Sequence, residues 1–283
     1  MSAAAGSVEE WSGKDRGDEN FPVGSLLIRP RLRPHMHAFY AYARNADDIA
    51  DSPVLAPEDK VARLDVMEEV LLGRREAGSP SAAALRASLA ETGVTAQHAL
   101  DLLVAFRRDA TKQRYATWEE LVDYCRYSAN PVGRHVLDLH GESRDVWPAS
   151  DALCTVLQVL NHLQDGSKDL AALDRCYLPE DLMQRCGTGV DTLRGTAETP
   201  GMRRVLNTLL DECEHRIRVA TGLPGGTRDT RLRLETAVIV GLARRLARRL
   251  RHGDPIATRV KLTKGDAIRS VFAALAYLPR PKS

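Results

Sequence analysis

The chain has 283 residues, of which 43% are hydrophobic and 28% are charged, so it is long enough to bury a substantial core. Its 40 basic and 38 acidic residues leave a net charge of only +2, which excludes the strong overall basicity typical of nucleic-acid-binding proteins. The five cysteines lack paired C-x-x-C spacing, which argues against a structural zinc site and favours a reduced, cytoplasmic interior.

The N-terminal residues 1–18 are small, polar and acidic, without the basic start and apolar run of a signal peptide, and we expect a disordered arm there. Residues 19–279 are predicted to form one all-α domain, because helical spacing recurs throughout and strand signals are scarce. No segment approaches the roughly 18 consecutive apolar residues that a membrane-spanning helix requires.

The helices are placed by apolar spacing and by the glycines and prolines between them. A first helix is predicted from His35 to about Asp51 and a second after Pro57. Further helices are predicted at residues 81–91, 96–109, 117–140, 149–170, 201–221, 228–251 and 264–278, with turns at 141–142, 187–189 and 223–226.

The first predicted helix carries a polar stripe within an otherwise apolar sequence. Tyr40, Arg44, Asp47 and Asp51 are spaced at i, i+4, i+7 and i+11, which places them on one helical face. Two like charges one turn apart destabilise an isolated helix by a few tenths of a kcal/mol unless a cation offsets them. The pair is either a solvated acidic face or a metal-binding pair.

The same pattern occurs a second time, in the helix at 149–170. Gln158, Asn161, Asp165 and Asp169 are spaced at i, i+3, i+7 and i+11, and His162 lies off this stripe as a packed or surface histidine. Mg²⁺ takes oxygen ligands and is often held by one or two carboxylates plus substrate phosphates. Two such pairs therefore favour a diphosphate bridged by Mg²⁺. The Glu-x-x-His pairs of a di-iron bundle are missing from these two segments.

Four motifs, in this order, resemble those of the squalene/phytoene synthase family over nearly the whole chain, from Glu19 to Leu278. They are residues 47–51 after Tyr40 and Arg44, residues 124–129 followed by Val132 and Gly133, Asn161-x-x-x-Asp165-x-x-x-Asp169, and Arg175-x-Tyr177-Leu178-Pro179. The resemblance implies an all-α isoprenoid (terpenoid) synthase fold, a single helical domain around a central cavity, with Mg²⁺ on two aspartate motifs holding the diphosphate of an isoprenyl substrate.

The resemblance also implies roles for individual residues. Asp47, Asp51, Asp165 and Asp169 match metal-binding aspartates, and Asp48 is their neighbour, about 100° off the stripe. The remaining matches are Arg44 and Arg259 to arginines that face the diphosphate, Gln158 and Asn161 to polar cavity residues, and Tyr40 and Tyr124 to tyrosines near the reacting carbons.

Within the family, residues 19–25, 128–133 and 161–165 look most like the hydroxysqualene synthases of bacterial hopanoid biosynthesis. That subgroup implies conversion of presqualene diphosphate and water to hydroxysqualene and diphosphate, ended by water and not by hydride. Gln164 stands where squalene and phytoene synthases commonly have arginine, and residues 166–168 replace an acidic spacer. We expect both departures to change the charge beside the diphosphate and the product formed.

Several alternatives remain open. The chain could instead make squalene or phytoene from farnesyl or other prenyl diphosphates, or be a non-catalytic assembly or interaction protein, although such relatives tend to lose the aspartates. The basic amphipathic segment Arg228–Arg251 is either a packed helix with a solvated outer face or a surface that docks on anionic lipid at the inner membrane face. The oligomeric state stays open.

Overall fold

The computed structural model describes residues 7–9 and 28–278 of the chain. Throughout this part the regular structure is helical, and the one strand-like feature is an isolated parallel bridge between Arg114 and Cys176. The all-α prediction is therefore confirmed. Most of the predicted arm at 1–18, and the motif at 19–25, lie outside the described residues. The helices form two compact units.

The first unit consists of the chain up to Lys112 together with Asp138–His140. Its helices are α1 (Arg33–Ala50), α2 (Pro57–Leu71), α3 (Pro80–Thr92) and α4 (Gln97–Thr111). Helix α1 packs against each of the other three. Ser79 caps α3 through its hydroxyl, and Glu9 accepts hydrogen bonds from the Ser81 hydroxyl (2.7 Å) and backbone N–H (3.1 Å).

The second unit consists of Gln113–Leu137 and the chain from Gly141 onward. Its helices are α5 (Trp118–Ser128), α6 (Asn130–His140, whose end belongs to the first unit), α7 (Trp147–Leu173), α8 (Glu180–Arg185), α9 (Pro200–Ala220), α10 (Gly222–Gly226), α11 (Thr230–His252) and α12 (Lys264–Ala274). The long helix α7 lies at its centre and packs against α5, α9 and α11, and α12 packs against α11.

The helix predicted over 117–140 is in fact two helices, separated at Ala129, whose φ of −123° leaves the helical range. Pro131 accounts for the break, because its ring crowds the carbonyl four residues earlier and its nitrogen has no hydrogen to donate. The turn predicted at 223–226 is the short helix α10, and α8 is too short for periodicity to reveal.

A close approach of two helices explains the glycine in the motif Val132-Gly133. A Cβ on Gly133 would lie 2.5 Å from the Ser150 hydroxyl oxygen and 2.6 Å from the Cys154 sulfur, both on α7. Only glycine therefore allows α6 to pack this closely on α7. Among the described residues, no helix is long and apolar enough to cross a membrane.

Candidate active site

Helix α1 and its C-cap residue carry five of the predicted site residues, all in the first unit. Its buried face consists of Met36, Phe39, Tyr42, Ala46, Ile49 and Ala50. The predicted stripe of Tyr40, Arg44, Asp47 and Asp51 is half-buried along another side of the helix. The structure thus gives these four residues the shared face that their spacing predicts, and the helix ends at Ala50 with Asp51 as its C-cap.

Arg44 is held by two of the neighbouring aspartates. Its Nη1 lies 3.6 Å from Asp47 Oδ2 and its Nε lies 3.4 Å from Asp48 Oδ1. The Asp48 side chain is only 5% exposed, whereas that of Asp47 is 37% exposed. Asp48 therefore orients the guanidinium of Arg44, and Asp47 presents its carboxylate to solvent. The role of Asp48 as a metal ligand stays a prediction.

Helix α7 carries the second group, in the second unit. Leu153, Val156, Leu160 and Leu163 are buried, while Gln158, Asn161, Asp165 and Asp169 are half-buried on the predicted stripe. The helix continues to Leu173, so both aspartates lie within it and one turn apart. The buried leucine side fixes the helix in the core, and the stripe lies on its half-buried side.

Arg259 and Asp165 form a two-point ion pair, although they are 94 residues apart in sequence. Arg259 Nε lies 2.7 Å from Asp165 Oδ1, and Arg259 Nη2 donates to Asp165 Oδ2 at 2.8 Å. Such paired contacts are among the stronger and more geometrically specific ion pairs. The structure thus places an arginine that is predicted to face the diphosphate against an aspartate that is predicted to bind metal.

Gln164 anchors the segment that carries Arg259. Its side chain is only 3% exposed, and its amide nitrogen donates to the backbone carbonyl of Val260. The sequence led us to expect Gln164 to change the charge beside the diphosphate. The structure places this neutral side chain in the interior, where it fixes the residue next to Arg259 against α7, and its effect on the charge beside the diphosphate stays a prediction.

Tyr124 belongs to an aromatic cluster in the second unit. Its ring centroid lies 5.3 Å from those of both Tyr115 and Tyr177, and Tyr115 and Tyr177 are stacked at 5.4 Å. His162 stacks on Tyr177 with centroids 3.6 Å apart. Only Tyr124 was predicted as a site residue. Tyr177 lies in a family-like motif, but no local pattern predicts that Tyr115 joins it.

His162 is packed inside the second unit, as one of the two sequence interpretations predicts. Burial, together with the smaller effect of the positive charge of Arg175, lowers the pKa of its imidazole to about 3. The ring is therefore neutral near pH 7. Its Nε2 lies 3.3 Å from the Gln158 amide nitrogen, which is consistent with Gln158 donating to an unprotonated ring nitrogen.

The aspartates suit a cation that is shared with a ligand. In the part of the chain that the structure describes, no three His, Cys, Asp or Glu side chains converge into a ready-made metal cage. Each stripe instead offers two carboxylates one turn apart, Asp47 with Asp51 and Asp165 with Asp169. Mg²⁺ is commonly held by one or two carboxylates together with waters and substrate phosphates. This donor set therefore fits Mg²⁺ bound jointly with a diphosphate.

Residues 14–266 match the squalene/phytoene synthase family. The hydroxysqualene synthase of Rhodopseudomonas palustris is 46% identical over 265 residues, which cover 94% of this chain and 90% of that protein. The hydroxysqualene synthase of Zymomonas mobilis is 45% identical over 268 residues, with coverage of 94% and 90%. Both similarities extend over nearly the full length.

The solved structure of a squalene synthase from Alicyclobacillus acidocaldarius superposes with a TM-score of 0.73. It is 34% identical in sequence, and the match covers 84% of this chain and 90% of that one. The predicted isoprenoid synthase fold is confirmed by this likeness together with the all-helical architecture.

Proposed function

Because this chain belongs to the squalene/phytoene synthase family, we propose that it converts presqualene diphosphate and water into hydroxysqualene and diphosphate, as a step of hopanoid biosynthesis. The observation that carries the proposal is its near full-length similarity to two hydroxysqualene synthases. The presence of all four stripe aspartates supports a catalytic role.

We propose that two arginines stabilise the leaving group. When the bond between carbon and the diphosphate oxygen breaks, that oxygen gains negative charge. Fixed positive charges placed beside it lower the barrier to this step. We assign this role to Arg44, oriented by Asp48, and to Arg259, anchored through Val260. The aspartate pairs of α1 and α7 would hold Mg²⁺, which supplies further electrostatic stabilisation of the departing diphosphate when bound.

The pairing of Arg259 with Asp165 links a residue proposed to bind diphosphate to a residue proposed to bind Mg²⁺. Both carboxylate oxygens of Asp165 contact the guanidinium, so this carboxylate is neutralised while Arg259 stays in place. A diphosphate offers the same paired acceptor geometry as a carboxylate and competes for Arg259. Substrate binding then frees the oxygens of Asp165.

The aromatic cluster suits the cation that ionisation leaves behind. The faces of aromatic rings attract positive charge, and Tyr124 and Tyr177 lie together in an environment where both are largely buried. A protonated imidazole among these rings would repel a carbocation. The depressed pKa of His162 keeps that ring neutral at pH 7 and removes the repulsion.

Two other functions are tested by the same assay. With NADPH present as hydride donor, a squalene synthase would release squalene, a phytoene synthase would not turn this C30 substrate into its C40 product, and a non-catalytic interaction protein would release no product. The assay incubates the purified chain with presqualene diphosphate and NADPH, with Mg²⁺ or with a chelator, and identifies products by mass spectrometry. We expect a hydroxylated C30 alcohol that depends on Mg²⁺.

Variants of the α7 aspartates sharpen this test. Asp165→Asn and Asp169→Asn should each lower kcat/KM about 100-fold, which is the scale of losing one preorganised transition-state contact. Asp191→Asn is the matched control, because the Asp191 side chain is 95% exposed in the same unit. Full activity of both α7 variants would refute the proposed site, and release of hydrocarbon alone would refute the proposed product.

A further inference from the structure

We infer that the outer face of α12 docks this protein onto the surface of an anionic lipid bilayer. The outer face is defined as the large apolar side chains on and just after α12 that point away from the protein. It consists of Ile268 (56% exposed), Val271 (50%), Phe272 (68%), Leu275 (47%) and Leu278 (45%).

The polarity of α12 is inverted relative to an ordinary surface helix. Its buried residues are Asp266, Ser270 and Ala274, which follow one another every four positions and form the side that faces the protein. A surface helix normally buries its large apolar side chains and exposes its polar ones. In α12 a carboxylate and a hydroxyl face inward, while isoleucine, valine, phenylalanine and leucine face outward.

Specific contacts hold α12 in this orientation against α11. Arg249 Nε donates to Asp266 Oδ2 at 2.6 Å, and Arg245 Nε donates to the Ser270 hydroxyl at 3.1 Å. A Cβ on Gly241 would lie 3.0 Å from that same hydroxyl oxygen, so the helices approach closely there. A capping box between Thr263 and Asp266 fixes the start of the helix. The outward direction of the apolar side chains is therefore built into the packing.

The outer face is concentrated in one place. Of the eight large hydrophobic residues that are exposed in the described part of the chain, five belong to it, and the other three are Val54, Val132 and Val219. Single exposed apolar residues are normal on a protein surface, whereas a contiguous group marks a docking surface.

The charge around the outer face is complementary to anionic lipid. Residues 260–278 contain three basic residues and one acidic residue. The one acidic residue, Asp266, is buried against Arg249. Lys261, Lys264 and Arg269 are exposed on the same stretch. A basic rim around an apolar helical face is the pattern of helices that lie in the headgroup region of a membrane.

This surface replaces the one that the sequence suggested on α11. The apolar residues Leu246 and Leu250 of α11 are buried, so they cannot enter a bilayer. Arg251 is also engaged within the protein, where it pairs with Asp211 (2.7 Å) and Glu214 (3.0 Å). Helix α11 is thus a packed support, and α12 presents the apolar side chains.

A second copy of the chain is a weaker candidate for the occupant. Two copies joined through this face would bring their basic rims together, and like charges facing each other across an interface cost free energy. An anionic bilayer accepts both the apolar side chains and the positive rim. The inference does not depend on the proposed reaction.

The test measures binding of the full chain to vesicles by co-sedimentation, without substrate. We expect binding to vesicles of phosphatidylcholine with phosphatidylglycerol, little binding to phosphatidylcholine alone, and loss of binding as salt is raised. Phe272→Ser should weaken binding about tenfold, because most of one apolar side chain no longer enters the lipid. Val219→Ser, at a 47% exposed position of α9, is the matched control and should bind like the parent.

The charge contribution has its own pair of variants. Arg269→Glu should weaken binding to the anionic vesicles several-fold, whereas Arg74→Glu, which changes the net charge equally at an exposed site of the first unit, should not. Equal binding of Phe272→Ser and the parent would overturn the inference. A lower melting temperature of Phe272→Ser than of the parent would also overturn it, and so would self-association of the parent that this substitution abolishes. Either result would mean that protein, and not lipid, covers the outer face.

Discussion

Replacing Gln164 with leucine should destabilise the chain through the backbone of a distant segment. Gln164 is the buried donor to the Val260 carbonyl, which lies 96 residues further along the chain. Leucine fills a similar volume but cannot donate a hydrogen bond. Removing a hydrogen bond at such a part-buried site costs about 0.5–1.5 kcal/mol. We expect the free energy of unfolding to fall by that amount.

The same substitution should weaken substrate binding through Arg259. Val260 is next to Arg259, whose guanidinium meets Asp165 only while this segment keeps its place. A loosened Arg259 spends less time in position to contact diphosphate. We expect KM for presqualene diphosphate to rise about three- to tenfold, which corresponds to roughly 0.6–1.4 kcal/mol, with a smaller change in kcat.

Urea unfolding and steady-state kinetics test both effects. The exposed Gln184 of α8 offers a matched control, since Gln184→Leu makes the same chemical change without removing a buried donor. In an Arg259→Gln background, Gln164→Leu should no longer raise KM, because both substitutions act on the same contact. Unchanged stability and KM in Gln164→Leu, or fully additive effects in the double variant, would refute the reasoning.

Three further predictions concern stability. Gly133→Ala should lower the free energy of unfolding by about 1–3 kcal/mol, because the added methyl group overpacks against Ser150 and Cys154. The melting temperature should fall accordingly, and an unchanged melting temperature would contradict the close approach of the two helices. His162 binds a proton when unfolded but not when folded until the pH nears about 3, so stability should fall as pH drops below about 6.5, by up to about 1.4 kcal/mol per pH unit. Urea titrations at several pH values should show that His162→Phe lacks this part of the pH dependence of the free energy of unfolding. The same pH dependence in His162→Phe and the parent would argue against a buried neutral ring. Glu142→Gln should lower the free energy of unfolding by about 1–3 kcal/mol, because the Glu142 carboxylate accepts hydrogen bonds from the backbone N–H groups of Arg228 and Asp229, both at 2.7 Å. An unchanged midpoint of urea unfolding would contradict this.

Local periodicity was enough to predict the two polar stripes. Tyr40 to Asp51 and Gln158 to Asp169 follow helical spacing within single helices, so their shared faces depend only on the pitch of the α-helix. The inverted polarity of α12 is also present in its sequence spacing. Which side faces the protein, however, is decided by the contacts of Arg245 and Arg249 on α11.

Contacts between residues far apart in sequence could not be predicted in this way. The stacking of His162 on Tyr177, and the anchoring of Val260 by Gln164, depend on how separate segments pack. Gln164 illustrates the difference, because its sequence position beside Asp165 suggested a role in local charge. Its side chain also points into the protein and donates to the Val260 carbonyl, a partner 96 residues away that no local pattern indicates.

The most direct test of the central claim is the source of the oxygen in the product. The purified chain is incubated with presqualene diphosphate and Mg²⁺ in heavy-oxygen water, with NADPH present, and the C30 product is analysed by mass spectrometry. If water ends the reaction, the product is hydroxysqualene that carries the heavy oxygen, and NADPH has no effect. Squalene that forms only with NADPH, or an alcohol without the label, would contradict the account.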